Sequence, residues 1–137
     1  MARIESHRDL VVWQKSMDWV VNVYQLCKAF PKDETYRLVS QLTRAAASVP
    51  ANIAEGHCRS TREFARFLSI AKGSLMEAET FLVLGIRLGY LTQEQAQSAL
   101  SQVIELSKMI TAMRSRLPLG GIAGAIALIL SLGGLIH

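Results

Sequence analysis

Apolar residues recur every three or four positions along most of this chain, and no stretch alternates at period two for long enough to indicate a strand. The spacing predicts four helices, over about 8–30, 34–56, 61–88 and 92–116. Short connections between long helices make consecutive helices antiparallel neighbours. We therefore expect an all-α fold, an antiparallel four-helix bundle.

Each predicted helix carries one apolar stripe that we expect to face the core. The stripes, in chain order, are Leu10, Trp13, Met17, Val20, Tyr24 and Cys27; Leu38, Leu42, Ala45, Val49 and Ile53; Phe64, Phe67, Ala71, Leu75, Ala78 and Leu82; and Ala99, Val103, Leu106, Ile110 and Met113. We expect the aromatic side chains among them to hold the bundle together.

Polar residues and glycines mark where the helices begin and end. Asp33 is a candidate N-cap for the second helix, and Thr92 for the fourth. Ser60 followed by Glu63 has the spacing of a capping box, and Gly89 ends the third helix.

Two glycines and a proline in the second and third helices call for a structural reason. Pro50 predicts a kink or break near Ala46, with the freed carbonyl satisfied by Asn52 or a nearby side chain. Gly56 is expected to stop the second helix. Gly73 lies inside the third helix, where glycine is unfavourable, so we expect close helix packing there.

Residues 117–137 form a separate apolar segment, an appended C-terminal helix of the predicted fold, with no acidic, amide or basic side chain before His137. A helix of about twenty residues spans roughly 30 Å, the hydrocarbon thickness of a bilayer. The segment is expected to insert into a membrane, pack among copies of itself in water, or pack on a partner. Small residues that would share one packing face, unless their spacing is a compositional accident, are Gly120, Gly124, Ala127, Ser131 and Gly134.

Composition limits the chain to one bundle, residues 1–116, plus the apolar segment. Half of its 137 residues are hydrophobic, and the net charge of +4 suits nucleic acid or an anionic membrane surface equally well. The two cysteines are too few for a disulfide scaffold, and residues 1–9 are too polar for a signal peptide. We expect a cytoplasmic bundle, attached to the inner membrane if the segment spans it.

Basic residues give two candidate surfaces. Arg59, Arg62 and Arg66 fall on one face of the third helix and are candidates for binding nucleic acid, although a solvated charged face explains them equally well. Basic residues close to the apolar segment could attract anionic lipid or simply favour a helix C-terminus. These membrane-flanking candidates are Lys108, Arg114 and Arg116.

Neither a metal site nor an active site is indicated. Glu55, His57 and Cys58 are the only clustered candidate ligands, and a zinc site needs three or four well-placed ones. Cys58 beside Arg59 has no visible catalytic partner. We expect no cofactor, no metal and no enzymatic activity.

Several motifs resemble one bacterial protein family. They are LVVWQKSM at 10–17, ASVPANIAEG at 47–56, Arg59, REF at 62–64 and AKGSLMEAE at 71–79. The family consists of four-helix-bundle proteins encoded in intervening sequences of bacterial large-subunit ribosomal RNA genes. The accessory proteins of diversity-generating retroelements are similar to it.

The resemblance covers about residues 6–116. It implies a homopentameric ring without known enzymatic activity and, from the retroelement relatives, binding to RNA and to a reverse transcriptase. The apolar segment departs from the family pattern. The sequence therefore favours an oligomeric scaffold that gathers apolar helices at a membrane as an anchor or pore-like effector. An RNA-binding accessory protein and a scaffold whose tails assemble in water are the alternatives.

Overall fold

A computed structural model of the chain describes residues 3–119, which form four α-helices and two short 3-10 turns. The helices are α1 (Val11–Cys27), α2 (Leu38–His57), α3 (Thr61–Arg87) and α4 (Gln93–Ser115). The turns, His7–Asp9 and Lys32–Glu34, precede α1 and α2. The all-α prediction is confirmed, whereas the appended helix and its small residues lie outside the described residues.

The helices pack as antiparallel neighbours. α1 and α3 each pack against both α2 and α4. The register of α1 on α4 is set by Lys15 bonding to Glu105 and by Asn22 bonding to Gln102. Because the partner numbers fall as the α1 numbers rise, the two helices run in opposite directions. Neither these helices nor any other within residues 3–119 has the length and apolar character needed to cross a membrane.

The buried stripes of α2 and α4 follow the predicted periodicity, except that Met113 is only half-buried. In α3 the prediction holds for every position but Phe67, which is half-buried. These helices each have a single apolar stripe, so the 3.6-residue period identifies the core-facing side.

The predicted stripe of α1 is offset by about one position from the buried one: Leu10 is buried as expected, but Val20 and Cys27 are only half-buried. The helix buries Val12, Ser16, Trp19 and Val23, while Met17 and Tyr24 are 39% and 51% exposed. The first helix is apolar over most of its circumference, and the stripe that contains the fully buried Trp19 faces the core. Trp13, the indole of the predicted stripe, is only half-buried.

Pro50 does not break α2, which continues from Leu38 to His57. Asn52 also differs from its expected role. Its Nδ2 donates to the carbonyl and hydroxyl oxygens of Ser48, at 2.8 Å each, and not to a carbonyl freed near Ala46. Ser74 of α3 donates to the same Ser48 hydroxyl at 3.0 Å, so this motif ties α2 to α3.

The caps are mostly as predicted. Thr92 and Gln95 form a reciprocal capping box, and Gly89 adopts a positive φ of 80° just beyond α3. Ser60 accepts a bond from the Glu63 amide, but the Glu63 carboxylate faces Arg59 instead of completing the box.

Asp33 is not the cap of α2. The helix begins four residues later than expected, and the Glu34 carboxylate accepts the bond from the Leu38 amide. A carboxylate near the first helical amides also compensates the positive end of the helix dipole.

The two internal glycines have roles opposite to those expected. Gly56 lies inside α2 with Phe67 of α3 against it: a Cβ there would come within 2.6 Å of the Phe67 Cβ. Gly73 faces open space, with no atom within 4 Å of a Cβ built on it. Close helix packing therefore explains Gly56, and nothing in the structure explains Gly73.

Candidate nucleic-acid interface

Arginines collect at one end of the bundle. Because the helices alternate in direction, the N-termini of α1 and α3 and the C-termini of α2 and α4 lie together. The arginines at or within about two helical turns of this end are Arg8, Arg59, Arg62, Arg66, Arg114 and Arg116. We call this the arginine-rich end.

Phe67 lies at the centre of the predicted arginine group. The Cζ atoms of Arg59 and Arg66 lie 5.4 and 5.0 Å from the centroid of its ring. Both guanidinium groups are within the distance at which the ring quadrupole attracts a cation. The structure therefore brings Arg59 and Arg66 together through an aromatic side chain that the sequence pattern assigns to the core.

Arg59 is the most strongly compensated member of the group. Its guanidinium lies 2.5 Å from a carboxylate oxygen of Glu55 and 3.8 Å from one of Glu63. The hydrogen bond to Glu55, followed by the charge of that carboxylate, raises the pKa of Arg59. Arg59 is thus mainly a link between the end of α2 and the start of α3.

Arg62 and Arg66 are exposed and make no ion pair with any of the residues from 3 to 119. Arg62 lies in the first turn of α3, where backbone amides add a positive potential. These two side chains are the members of the predicted trio that remain available for an anion.

The membrane-flanking candidates are spread along the end of α4. Lys108 is exposed within the helix, Arg116 is its C-cap residue, and the Nε of Arg114 donates to the Ala65 carbonyl at 3.1 Å. Arg114 therefore ties α4 to α3, while Lys108 and Arg116 project from the surface.

The potential ligands at 55–58 have other contacts. Glu55 pairs with Arg59, His57 packs edge-on against Phe64 at 5.7 Å between ring centroids, and the Cys58 thiol donates to the Glu55 carbonyl at 3.1 Å. Nowhere in residues 3–119 do three His, Cys, Asp or Glu side chains come close enough to share a metal ion.

Comparison with known proteins identifies the family of this chain. The sequence pattern of 23S rRNA-intervening sequence proteins matches residues 8–112. The chain belongs to this family. A solved relative, a protein of unknown function from the S23 ribosomal protein family of Bacteroides thetaiotaomicron VPI-5482, is 30% identical with a TM-score of 0.70. The match covers 76% of this chain and 98% of that one. Comparison with curated proteins gives no match.

The family match includes Phe67 and the predicted trio but ends before Arg114 and Arg116. The family resemblance drawn from the motifs is confirmed. The arginine face on α3 is thus part of the family region, whereas the last basic residues of α4 and everything after them lie beyond it.

Proposed function

We propose that this family member is a non-enzymatic, homo-oligomeric helical scaffold whose arginine-rich end binds RNA. The observation that carries the proposal is the arrangement of Arg66 beside the Phe67 ring, with Arg62 one turn away and neither arginine paired with a carboxylate among the described residues. The description of the family, which refers to intervening sequences of 23S rRNA, also favours RNA.

The chemistry of this surface fits single-stranded or unpaired RNA. Guanidinium groups contact phosphates and stack on bases, and an aromatic ring offers a further stacking surface. Phe67 is half-buried, so only part of its ring is available. The expected contribution is therefore mainly electrostatic, with limited sequence preference. A reverse transcriptase is the protein partner that the resemblance to retroelement accessory proteins suggests.

Self-association would multiply this surface. Apolar side chains that α1 leaves exposed include Met17, Val21 and Tyr24. Leu84 of α3 and Leu88, its C-cap residue, are at least 40% exposed. Exposed apolar side chains of this kind are available for contacts between protomers. We propose a homo-oligomer, a pentamer by resemblance to the family, with the arginine-rich ends repeated around it. Light scattering on the full chain tests this, and a monomer at micromolar concentration would contradict it.

The test of RNA binding is the Arg62→Gln/Arg66→Gln double variant. Loss of two phosphate contacts should weaken binding and reduce the slope of log K against log salt concentration by about 1.4 for each protomer engaged on single-stranded RNA. The matched control is Arg37→Gln/Arg87→Gln, which removes two exposed arginines at the opposite end of the bundle.

Filter binding or fluorescence anisotropy with a labelled RNA, at several salt concentrations, gives both affinity and slope. If both double variants lower the slope equally, binding is diffuse and the assigned surface is wrong. If the parent does not retain RNA at low salt, the RNA proposal fails.

A second proposed function is that the scaffold gathers apolar C-terminal segments at a membrane, as an anchor or a pore-like effector. The observation favouring it is that α4 ends at the arginine-rich end, so the apolar sequence begins beside Arg116. Anionic headgroups would be attracted to the same arginines, at about 1 kcal/mol for each residue near the surface.

Vesicle flotation separates the membrane proposal from assembly in water. The full chain should float with anionic vesicles, and Ile129→Arg should prevent this because a charge at a bilayer centre costs about 2.5–3.5 kcal/mol. Gly124→Leu is the matched control, since it changes the segment without adding charge. If the parent does not float, the membrane proposal fails, and soluble assembly through the segment becomes the alternative.

A further inference from the structure

An apolar groove opens at the arginine-rich end, between the start of α1, the start of α3 and the end of α4. It encloses about 540 Å³, and its surface is mainly apolar. Leu10, Phe64, Met109 and Met113 contribute to its walls. The polar members of the lining are Asp9, His57 and Arg116.

Most of the side chains that line this groove are apolar and offer water no hydrogen bond. One oxygen of Asp9, the acidic group of the lining, already accepts bonds from the backbone amides of Glu5 and Ser6. Replacing the water by apolar side chains would therefore be favourable at about 25 cal/mol for each Å² of apolar surface covered.

The apolar C-terminal sequence of the same chain begins next to this groove. Leu117 lines the groove, two residues before the end of the described structure. Residues 120–136 then contain no charged side chain and begin with Gly120 and Gly121, which permit a reversal of chain direction with no steric penalty. A partner segment that starts at the edge of its binding site incurs a smaller entropic cost than a separate molecule.

We propose that this groove binds the apolar C-terminal segment, residues 120–137, of the same chain. The groove would cover part of the segment in water and leave the bundle soluble. This proposal goes beyond RNA binding and does not depend on it, since Arg62 and Arg66 are not among the residues that line the groove.

Crosslinking between paired cysteines in the full chain tests the assignment. In a Cys27→Ala/Cys58→Ser background, Ile126→Cys in the segment is combined with Ile4→Cys, which lines the groove and is 56% exposed. The control combines Ile126→Cys with Leu88→Cys, which is 50% exposed at the opposite end of the bundle. A short bis-maleimide and peptide mass spectrometry report the yield of each link.

We expect the Ile4 pair to crosslink at least tenfold more than the Leu88 pair, with the link inside one chain. Mixing chains labelled with ¹⁵N and ¹⁴N distinguishes links within a chain from links between chains. Equal yields for the two pairs would overturn the proposal. Links found only between chains would also overturn it, since the groove would then hold the segment of a second copy.

A second crosslinking position in the groove shows whether the segment lies in the groove or only beside the N-terminal residues. Met113→Cys replaces Ile4→Cys in the same assay, and circular dichroism confirms that helicity is unchanged. Both groove positions should link to Ile126→Cys. A link from Ile4 without one from Met113 would place the segment beside the N-terminal residues and outside the groove, which would overturn the proposal.

Discussion

Replacing Gly56 by alanine should destabilise the bundle, because α2 and α3 come into contact at this residue. The new Cβ would lie 2.6 Å from the Phe67 Cβ and 3.0 Å from the Phe64 Cδ1. Carbon atoms normally pack at about 3.5–4.0 Å, so the first contact is roughly 1 Å too short. The Cβ of Phe67 is fixed to the α3 backbone and cannot rotate away, so the helices themselves must separate.

Two opposing terms give the size of the effect. Overpacking a well-packed site costs about 1–3 kcal/mol, whereas alanine gains about 1 kcal/mol over glycine inside a helix. The net expectation for Gly56→Ala is a loss of about 1 kcal/mol, the middle of a range of about 0–2 kcal/mol. With a urea dependence of about 2 kcal/mol per molar, the unfolding midpoint should fall by about 0.5 M.

Gly73→Ala is the matched control, since it makes the same chemical change where no atom lies within 4 Å of the new methyl group. Only the helix-propensity term remains, so the midpoint should rise by about 0.5 M. Urea unfolding followed by circular dichroism, at one protomer concentration for all variants, measures both changes. The packing argument is refuted if Gly56→Ala is as stable as the parent, or if both variants shift in the same direction.

Three further changes probe the caps and the thiols. Burial raises the pKa of Cys27 to about 11. At pH ~8 a disulfide reagent should therefore modify the exposed Cys58 first, and Cys58→Ser should remove the fast phase of the reaction. Loss of that phase in Cys27→Ser instead would contradict this. Thr92→Ala removes the capping box with Gln95 and should cost about 1 kcal/mol in urea unfolding; an unchanged midpoint would argue against the cap. Backbone hydrogen bonds lower the pKa of Asp9 below its ordinary 3.8, so its stabilising effect is complete above that pH and is lost as the pH falls below it. Asp9→Asn should accordingly have a melting temperature that falls less steeply on acidification, and identical profiles would show that the contribution is absent.

Helical periodicity predicts the cores of α2, α3 and α4 because each has one apolar side. It fails for α1, where two neighbouring stripes have the same spacing. One contains Trp13, Met17 and Tyr24, and the other contains Val12, Trp19 and Val23. Only the shape of the space between α2 and α4 selects between them, and that depends on residues far away in the sequence.

The candidate site is also predictable only in part, because some of its contacts depend on residues far away in the sequence. The spacing of Arg62 and Arg66 along α3 is enough to place them near each other. The contact of Arg59 with Phe67 depends on how the chain turns between α2 and α3, and that turn depends on the close approach at Gly56. Sequence spacing alone assigns Phe67 to the core, because an aromatic residue at a core-compatible position carries no signal of partial exposure.

The even number of antiparallel helices has a practical consequence for handling the protein. Ile4 and Leu117, close to the two ends of the described chain, line the same groove at the arginine-rich end. An affinity tag or fluorescent fusion at the N-terminus would therefore stand beside the surface proposed to bind RNA, and a polyhistidine tag would add its own charge there. A label on an exposed side chain at the opposite end of the bundle, such as that of Arg87, would stand away from this surface.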